Sequence, residues 1–246
     1  MRLTILGSSG GYPAPGSACS GYLLEEGETR LWIDAGSGTF SRLLGHCTPD
    51  RLTAVLISHL HADHWGDLVT GLHALRFAFE REQPLPVYGP NGWRQTMGVV
   101  AEWEHEEQPA FEAREIRGGD MIELGGLKIE PIRVEHSPDL TTYGFRIENG
   151  AHALAYSADS GPCEALVQLA RDVDLFLCEA GSPGEQEMTM HLNGRQAGEI
   201  AARARARRLV ITHLAPGTDP HETLAHARSV FDGEVEYAAE GRALDV

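Results

Sequence analysis

Ser58-His59-Leu60-His61-Ala62-Asp63-His64 is the stretch on which the reading of this chain turns. It follows the apolar run Ala54-Val-Leu-Ile57, which has the length and β-branched content of a buried strand. A segment with Leu68, Leu72 and Leu75 at helical spacing comes after it. A strand-to-helix turn with histidines two apart aims both imidazoles the same way, and Asp63 and His64 then open the helix. Imidazole nitrogens and a carboxylate oxygen form the donor set that zinc, iron or manganese accepts. Four candidate ligands in so short a stretch exceed what one ion usually takes from one segment, which points to two ions.

Working outward, three more strand-like runs end on a metal-capable side chain. Ile132–Glu135 leads into His136, Ala153–Ala158 into Asp159, and Leu209–Thr212 into His213. Loops at the carboxyl ends of strands converge over a rigid scaffold, and α/β folds gather functional groups there. If these strands run in a common sense, His59, His136, Asp159 and His213 meet on one rim. A lone histidine is most often structural or on the surface; this combination is not explained that way.

Other short apolar runs, Leu3–Leu6, Leu31–Ile33 and Leu175–Leu177, read as strands. Helices are expected over Asp67–Phe79, Cys163–Arg171 and Gly194–Arg207. The last of these carries Ala197, Ile200, Ala201 and Ala204 on one stripe. Its arginines, Arg195, Arg203, Arg205 and Arg207, read as solvated faces. Interleaved strands and helices give an α/β or α+β class with helices covering sheet faces. Gly7-Ser-Ser-Gly-Gly11 is a turn that fits neither a dinucleotide fingerprint nor a P-loop.

A length of 246 residues with 42% hydrophobic content suits one domain over 1–246. The N-terminus lacks the features of a signal peptide, and no apolar run nears the roughly 18–20 residues of a membrane span. The expectation is a cytoplasmic protein without a membrane partner. Cys19, Cys47, Cys163 and Cys178 form no CxxC pair, so no disulfide framework is expected, and Cys178 reads as core. A net charge of −16 argues against a surface made for polynucleotide and for a small substrate.

With these residues in view, the sequence resembles the metallo-β-lactamase superfamily, whose signature is HxHxDH followed by a later His, an Asp and a final His. The resemblance spans essentially the whole chain. It implies a four-layer αββα sandwich with the site at one edge. It also implies two divalent metal ions, zinc ahead of manganese or iron. His59, His61 and His136 would hold one ion, Asp63, His64 and His213 the other, with Asp159 bridging. Leu6-Gly-Ser-Ser-Gly10, Asp34-Ala-Gly36, Asp174–Ala180, His191–Ala197 and Thr212-His-Leu214 are similar to segments of the ribonuclease Z-like branch, with Cys178 where His is usual.

That branch hydrolyses phosphodiesters in transfer-RNA precursors or cyclic nucleotides. The resemblance implies that His191 donates a proton to the leaving alkoxide, oriented by Glu179, and that Asp63 accepts the proton of the attacking water. Homodimerisation, common in this branch, is implied in the same way. Ribonuclease Z enzymes commonly carry a long arm between the later His and the bridging Asp. Here only Ser137–Asn149 and one short strand fill that interval. The expected activity is therefore hydrolysis of a small phosphodiester such as a cyclic nucleotide. The alternatives are an arm-less endonuclease on RNA 3′ ends, and a lactonase or thioesterase; the lactonases carry a Tyr where this chain has Pro162. The segment Phe77–Ile116 is expected to form a helix and a loop near the site mouth. Trp93 and Trp103 in it read as core packing ahead of a base-stacking wall.

Overall fold

The computed structural model describes residues 1–101, 110–186 and 188–246, so Trp103 and His105 lie outside the described residues. Six strands, β1 (Arg2–Gly7), β2 (Gly21–Glu26), β3 (Thr29–Ala35), β4 (Ala54–Leu56), β5 (Leu85–Gly89) and β6 (Phe111–Glu115), lie in this order in one sheet. Seven more build the second sheet: β7 (Ile122–Leu124), β8 (Leu127–Val134), β9 (Thr142–Glu148), β10 (Ala153–Tyr156), β11 (Leu175–Glu179), β12 (Arg208–Thr212) and β13 (Glu234–Tyr237). The last strand, β14 (Ala243–Asp245), returns to the first sheet beside β1.

Alternation along the strands sets the layers. Leu31, Ile33, Ala54 and Leu56 of the first sheet pack against Phe145, Ile147, Leu154, Tyr156, Leu175 and Leu177 of the second. The intervening residues face outward. Trp32 and Val55 meet α1 (Thr39–Leu43), α2 (Ala62–Phe77) and α3 (Trp93–Ala101). Phe176, Cys178, Leu209 and Ile211 meet α4 (Glu164–Leu169), α5 (Gly194–Ala204) and α6 (Pro220–Arg228). The result is the αββα sandwich that the resemblance implied.

Strand direction places the chemistry. β10, β11, β12 and β13 are mutually parallel, while β9 runs antiparallel to both β8 and β10. β8, β10, β11 and β12 therefore point the same way, and the residues following them emerge at one edge. Among the described residues, no helix is long and apolar enough to cross a membrane.

Two differences from the expected elements are instructive. α2 begins at Ala62 rather than Asp67, which puts Asp63 and His64 in its first turn. α5 stops at Ala204, where Arg205 adopts a left-handed conformation at φ 56° and ends the helix. The interval from Phe77 to Ile116 contains β5, α3 and β6, so two strands went unanticipated there. Pro86 inside β5 hides that strand from a propensity reading. Trp93 is 1% exposed and packs with Met97 in the outer core, as expected.

Candidate metal centre

β4 and the first turn of α2 deliver His59, His61, Asp63 and His64 from the first sheet; β8, β10 and β12 deliver His136, Asp159 and His213 from the second. His61 Nδ1 lies 3.1 Å from His59 Nε2 and 3.0 Å from His136 Nε2. Asp159 Oδ2 completes this first group at 3.7 and 3.8 Å from His59 and His136 Nε2. In the second group, His64 Nε2 is 3.3 Å from Asp159 Oδ1 and 3.5 Å from Asp63 Oδ2. His213 Nε2 is 3.1 Å from Asp159 Oδ2 and 4.0 Å from Asp63 Oδ2. Within each group the donor atoms lie within 4.8 Å of one another, and Asp159 belongs to both. Tetrahedral ligands at the usual zinc–nitrogen length are about 3.3 Å apart, close to these spacings.

A second observation tests the fit. His64 Nε2 and Asp159 Oδ1 are buried and have no hydrogen-bond partner. A buried polar atom left unsatisfied costs about 1–3 kcal/mol. A divalent cation between them would satisfy both, so the residues fit the ions that the motif implies.

The outer nitrogens of four histidines are each occupied. His136 Nδ1 donates to the Met190 carbonyl at 2.8 Å, and His64 Nδ1 to the Asp34 carboxylate at 2.7 Å. His59 Nδ1 pairs with Ser58 Oγ at 3.0 Å, and His213 Nδ1 with Ser20 Oγ at 2.8 Å. Such partners fix ring orientation and leave Nε2 free for a metal; their loss typically weakens metal binding 10- to 100-fold. Asp34 is the hub. It is fully buried and also accepts hydrogen bonds from the Ser58 backbone and hydroxyl and from the Tyr156 hydroxyl. Sequence reasoning missed this role, as it did those of Ser20 and the Met190 carbonyl.

Backbone strain gathers at the same edge. Asp34, Ala158 and His213, all non-glycine, sit at φ 51°, 53° and 55°. Such conformations cost of order 1–3 kcal/mol each and collect where side chains must be aimed. Gly10 is a glycine because an added Cβ would stand 2.8 Å from His213 Cδ2. Gly11, at φ 74°, donates its N–H to Asp63 Oδ2 at 2.8 Å.

Burial drives His59 well below the ordinary histidine range and His61 below it, which favours the neutral imidazole that a metal requires. Burial opposes the charge on Asp159, but His213 and His64 outweigh it and hold the carboxylate well below its usual range.

A second constellation adjoins the first. Leu175 and Leu177 face the inner core, so two residues on Glu179 faces inward too, at the end of β11. Glu179 is fully buried and accepts from His191 Nδ1 at 3.0 Å, the Ser160 N–H at 2.9 Å and the Gly181 N–H at 2.6 Å. The His191 ring lies 5.0 Å from that of His136 and stacks on His213 at 5.7 Å. Burial disfavours its charged form, but the bond to Glu179 and that carboxylate's charge prevail, raising the imidazole to about 9. Cys178, of opposite parity, points into the outer core, where burial pushes its thiol up.

Every residue singled out for the site is thus brought together. A cavity of about 330 Å³ opens over it, lined in part by Tyr12, His61, Asp63, Asp159, His191 and His213. A family model described as beta-lactamase superfamily domain matches residues 29–214.

The chain belongs to the metallo-β-lactamase superfamily.

Protein ML1173 of Mycobacterium leprae is 38% identical over 100% of this chain and 89% of its own. The probable metallo-hydrolase YhfI of Bacillus subtilis is 32% identical, covering 98% of both chains. The crystal structure of YhfI matches with a TM-score of 0.89 over 99% of this chain and 98% of that one, at 30% identity. Ribonuclease Z of Myxococcus xanthus is 27% identical over 100% of this chain and 98% of its own. Within the superfamily, this metallo-hydrolase falls in the ribonuclease Z-like branch.

Proposed function

We propose that this metallo-β-lactamase-fold hydrolase is a dinuclear phosphodiesterase acting on a small phosphodiester such as a cyclic nucleotide. The observation that carries the reading is the Glu179–His191 pair beside two donor groups that share Asp159. His59, His61 and His136 would hold one cation, Asp63, His64 and His213 the other, and Asp159 both. The imidazole-rich set suits zinc first, with manganese or iron as alternatives. When bound, the pair supplies Lewis acidity at the phosphoryl oxygens and a water acidified enough to attack near neutral pH.

The chain's own residues do the rest. Asp63, steadied by the Gly11 N–H, takes the proton of the attacking water. His191, its Nδ1 committed to Glu179, presents Nε2 as the acid that protonates the departing alkoxide. The carboxylate holds the tautomer and stabilises the imidazolium, as in other carboxylate–histidine pairs.

Three features support a small substrate. β9 and β10 fill the interval between His136 and Asp159, leaving no arm there. Arg195 and Arg203 on α5, and Arg205 and Arg207 just past its end, pair with Glu185, Glu164, Asp172 and Asp174, so these four cations are matched by carboxylates. The cavity volume is at the small end for ligand sites. The second reading, cleavage at RNA 3′ ends, is favoured by the identity to Ribonuclease Z of Myxococcus xanthus.

Cyclic AMP and a precursor transfer RNA, each incubated with the zinc- or manganese-loaded protein, separate the two. Hydrolysis of cyclic AMP with the RNA left whole is the expected outcome. RNA cleavage with cyclic AMP intact would favour the second reading. If cyclic AMP, the RNA and bis(p-nitrophenyl) phosphate all survived, phosphodiester chemistry would fall, and lactones and thioesters would be assayed in its place.

A further inference from the structure

We propose that Tyr12 is the platform on which the base of a nucleotide substrate stacks, so that this residue selects nucleotides from other phosphodiesters. The inference rests on the phosphodiesterase reading and extends it to what surrounds the phosphate. Tyr12 is 61% exposed, yet it belongs to the wall of the same cavity as His61, Asp63, Asp159, His191 and His213. A large aromatic side chain left in water at the mouth of a polar site is a ready face for a flat, partly apolar ligand.

The backbone beneath the ring is held in place. Ser9 Oγ donates to the Tyr12 carbonyl at 2.8 Å, and the Tyr12 N–H to the Gly10 carbonyl at 2.9 Å. The preceding peptide N–H, of Gly11, is bonded to Asp63 Oδ2. Tyr12 therefore stands one residue from a direct tie to the donor cluster. The far side of the loop is fastened as well. Arg42 pairs with Glu240 and donates to the Gly16 carbonyl at 2.7 Å. Glu240 accepts from the Ser17 hydroxyl at 2.6 Å and the Ala18 N–H at 2.8 Å. With the loop tied at both ends, a ligand has only a two-torsion side chain to order, which keeps the entropy loss on binding low. Met188, Ala215 and Pro216 add further apolar lining to the cavity. Trp93, buried against Met97, lies outside the lining.

Stacking of a base on an aromatic side chain ordinarily changes affinity about 5- to 150-fold. Tyr12→Ala should raise KM for cyclic AMP by that much while kcat and metal content hold. KM for glycerol 1,2-cyclic phosphate, which has no base, should stay put. Tyr12→Trp, which keeps a ring, should restore the cyclic AMP value. A KM for cyclic AMP unmoved in Tyr12→Ala, or an equal rise for both substrates, overturns the proposal. If the wild-type protein hydrolyses no phosphodiester, the catalytic reading fails, and calorimetry still decides the role of Tyr12. The metal-loaded wild type should bind AMP at least about 5-fold more tightly than ribose 5-phosphate, with the preference lost in Tyr12→Ala. No preference in the wild type, or the same preference in the variant, refutes the stacking role.

Discussion

Asp159→Ala is expected to lower the metal content from two ions per chain to one or fewer, and kcat/KM on bis(p-nitrophenyl) phosphate by roughly 10³-fold or more. Asp159 is the one residue common to both donor groups, with its oxygens 3.1–3.8 Å from the Nε2 atoms of His59, His64, His136 and His213. Alanine leaves His59, His61 and His136 with no carboxylate in their group, and His64 and His213 with Asp63 alone. At each position a cation loses a ligand, and the attacking water loses the geometry that two shared ions would give it. The carboxylate also has a charge role without metal: His213 and His64 hold it ionised in a buried setting. Its loss should thus lower stability of the metal-free protein as well, so metal content is to be measured on folded material verified by circular dichroism. Elemental analysis showing two ions retained would contradict the sharing of Asp159.

His191→Ala should have the second-largest effect, and of a different kind. Metal content should remain at the wild-type level, since His191 is in neither donor group. The rate on cyclic AMP, whose leaving group is an alkoxide, should fall about 10²- to 10⁴-fold, the usual worth of general acid catalysis. On bis(p-nitrophenyl) phosphate, which expels an acidic phenol, the change should be only a few-fold. The pH dependence has a definite sign. The imidazole is raised to about 9, and the acid must be protonated to act. Activity on cyclic AMP should therefore hold at neutral pH and decline as pH rises through the imidazole's pKa, which neighbouring cations would move below 9 by repulsion. Glu179→Gln removes the charge that raises it and should shift the decline to lower pH. Equal losses on both substrates, or an unchanged alkaline limb in His191→Ala, would remove His191 from the proton transfer.

The donors were readable because each stands next to a strand whose apolar run is visible, and strand ends bring distant residues to one edge. His59 through His64, His136, Asp159 and His213 all belong to that class. Glu179 and His191 were reachable only through resemblance. The burial of Glu179 comes from its register with Leu175 and Leu177, and periodicity alone does not say that such a run ends at a site. Asp34 illustrates what stays hidden. Its side chain is turned by a left-handed backbone at the end of β3, so alternation along the strand gives the wrong face. The groups that hold Nδ1 of His136 and of His213 are a backbone carbonyl and a serine, too common to carry a signal. β5 was lost to Pro86, and the start of α2 to the absence of a side-chain cap at His61. Tyr12 sits in a glycine-rich turn, where only the folded loop places it at the cavity.

The most direct test of the dinuclear phosphodiesterase is a titration of metal-free protein with zinc, following hydrolysis of bis(p-nitrophenyl) phosphate. Activity should be small up to one equivalent per chain, rise steeply toward two, and plateau there, because the donors form two groups that share Asp159 and the reaction needs an ion in each. Full activity at a single equivalent, or activity that survives complete removal of metal, would contradict the paired site.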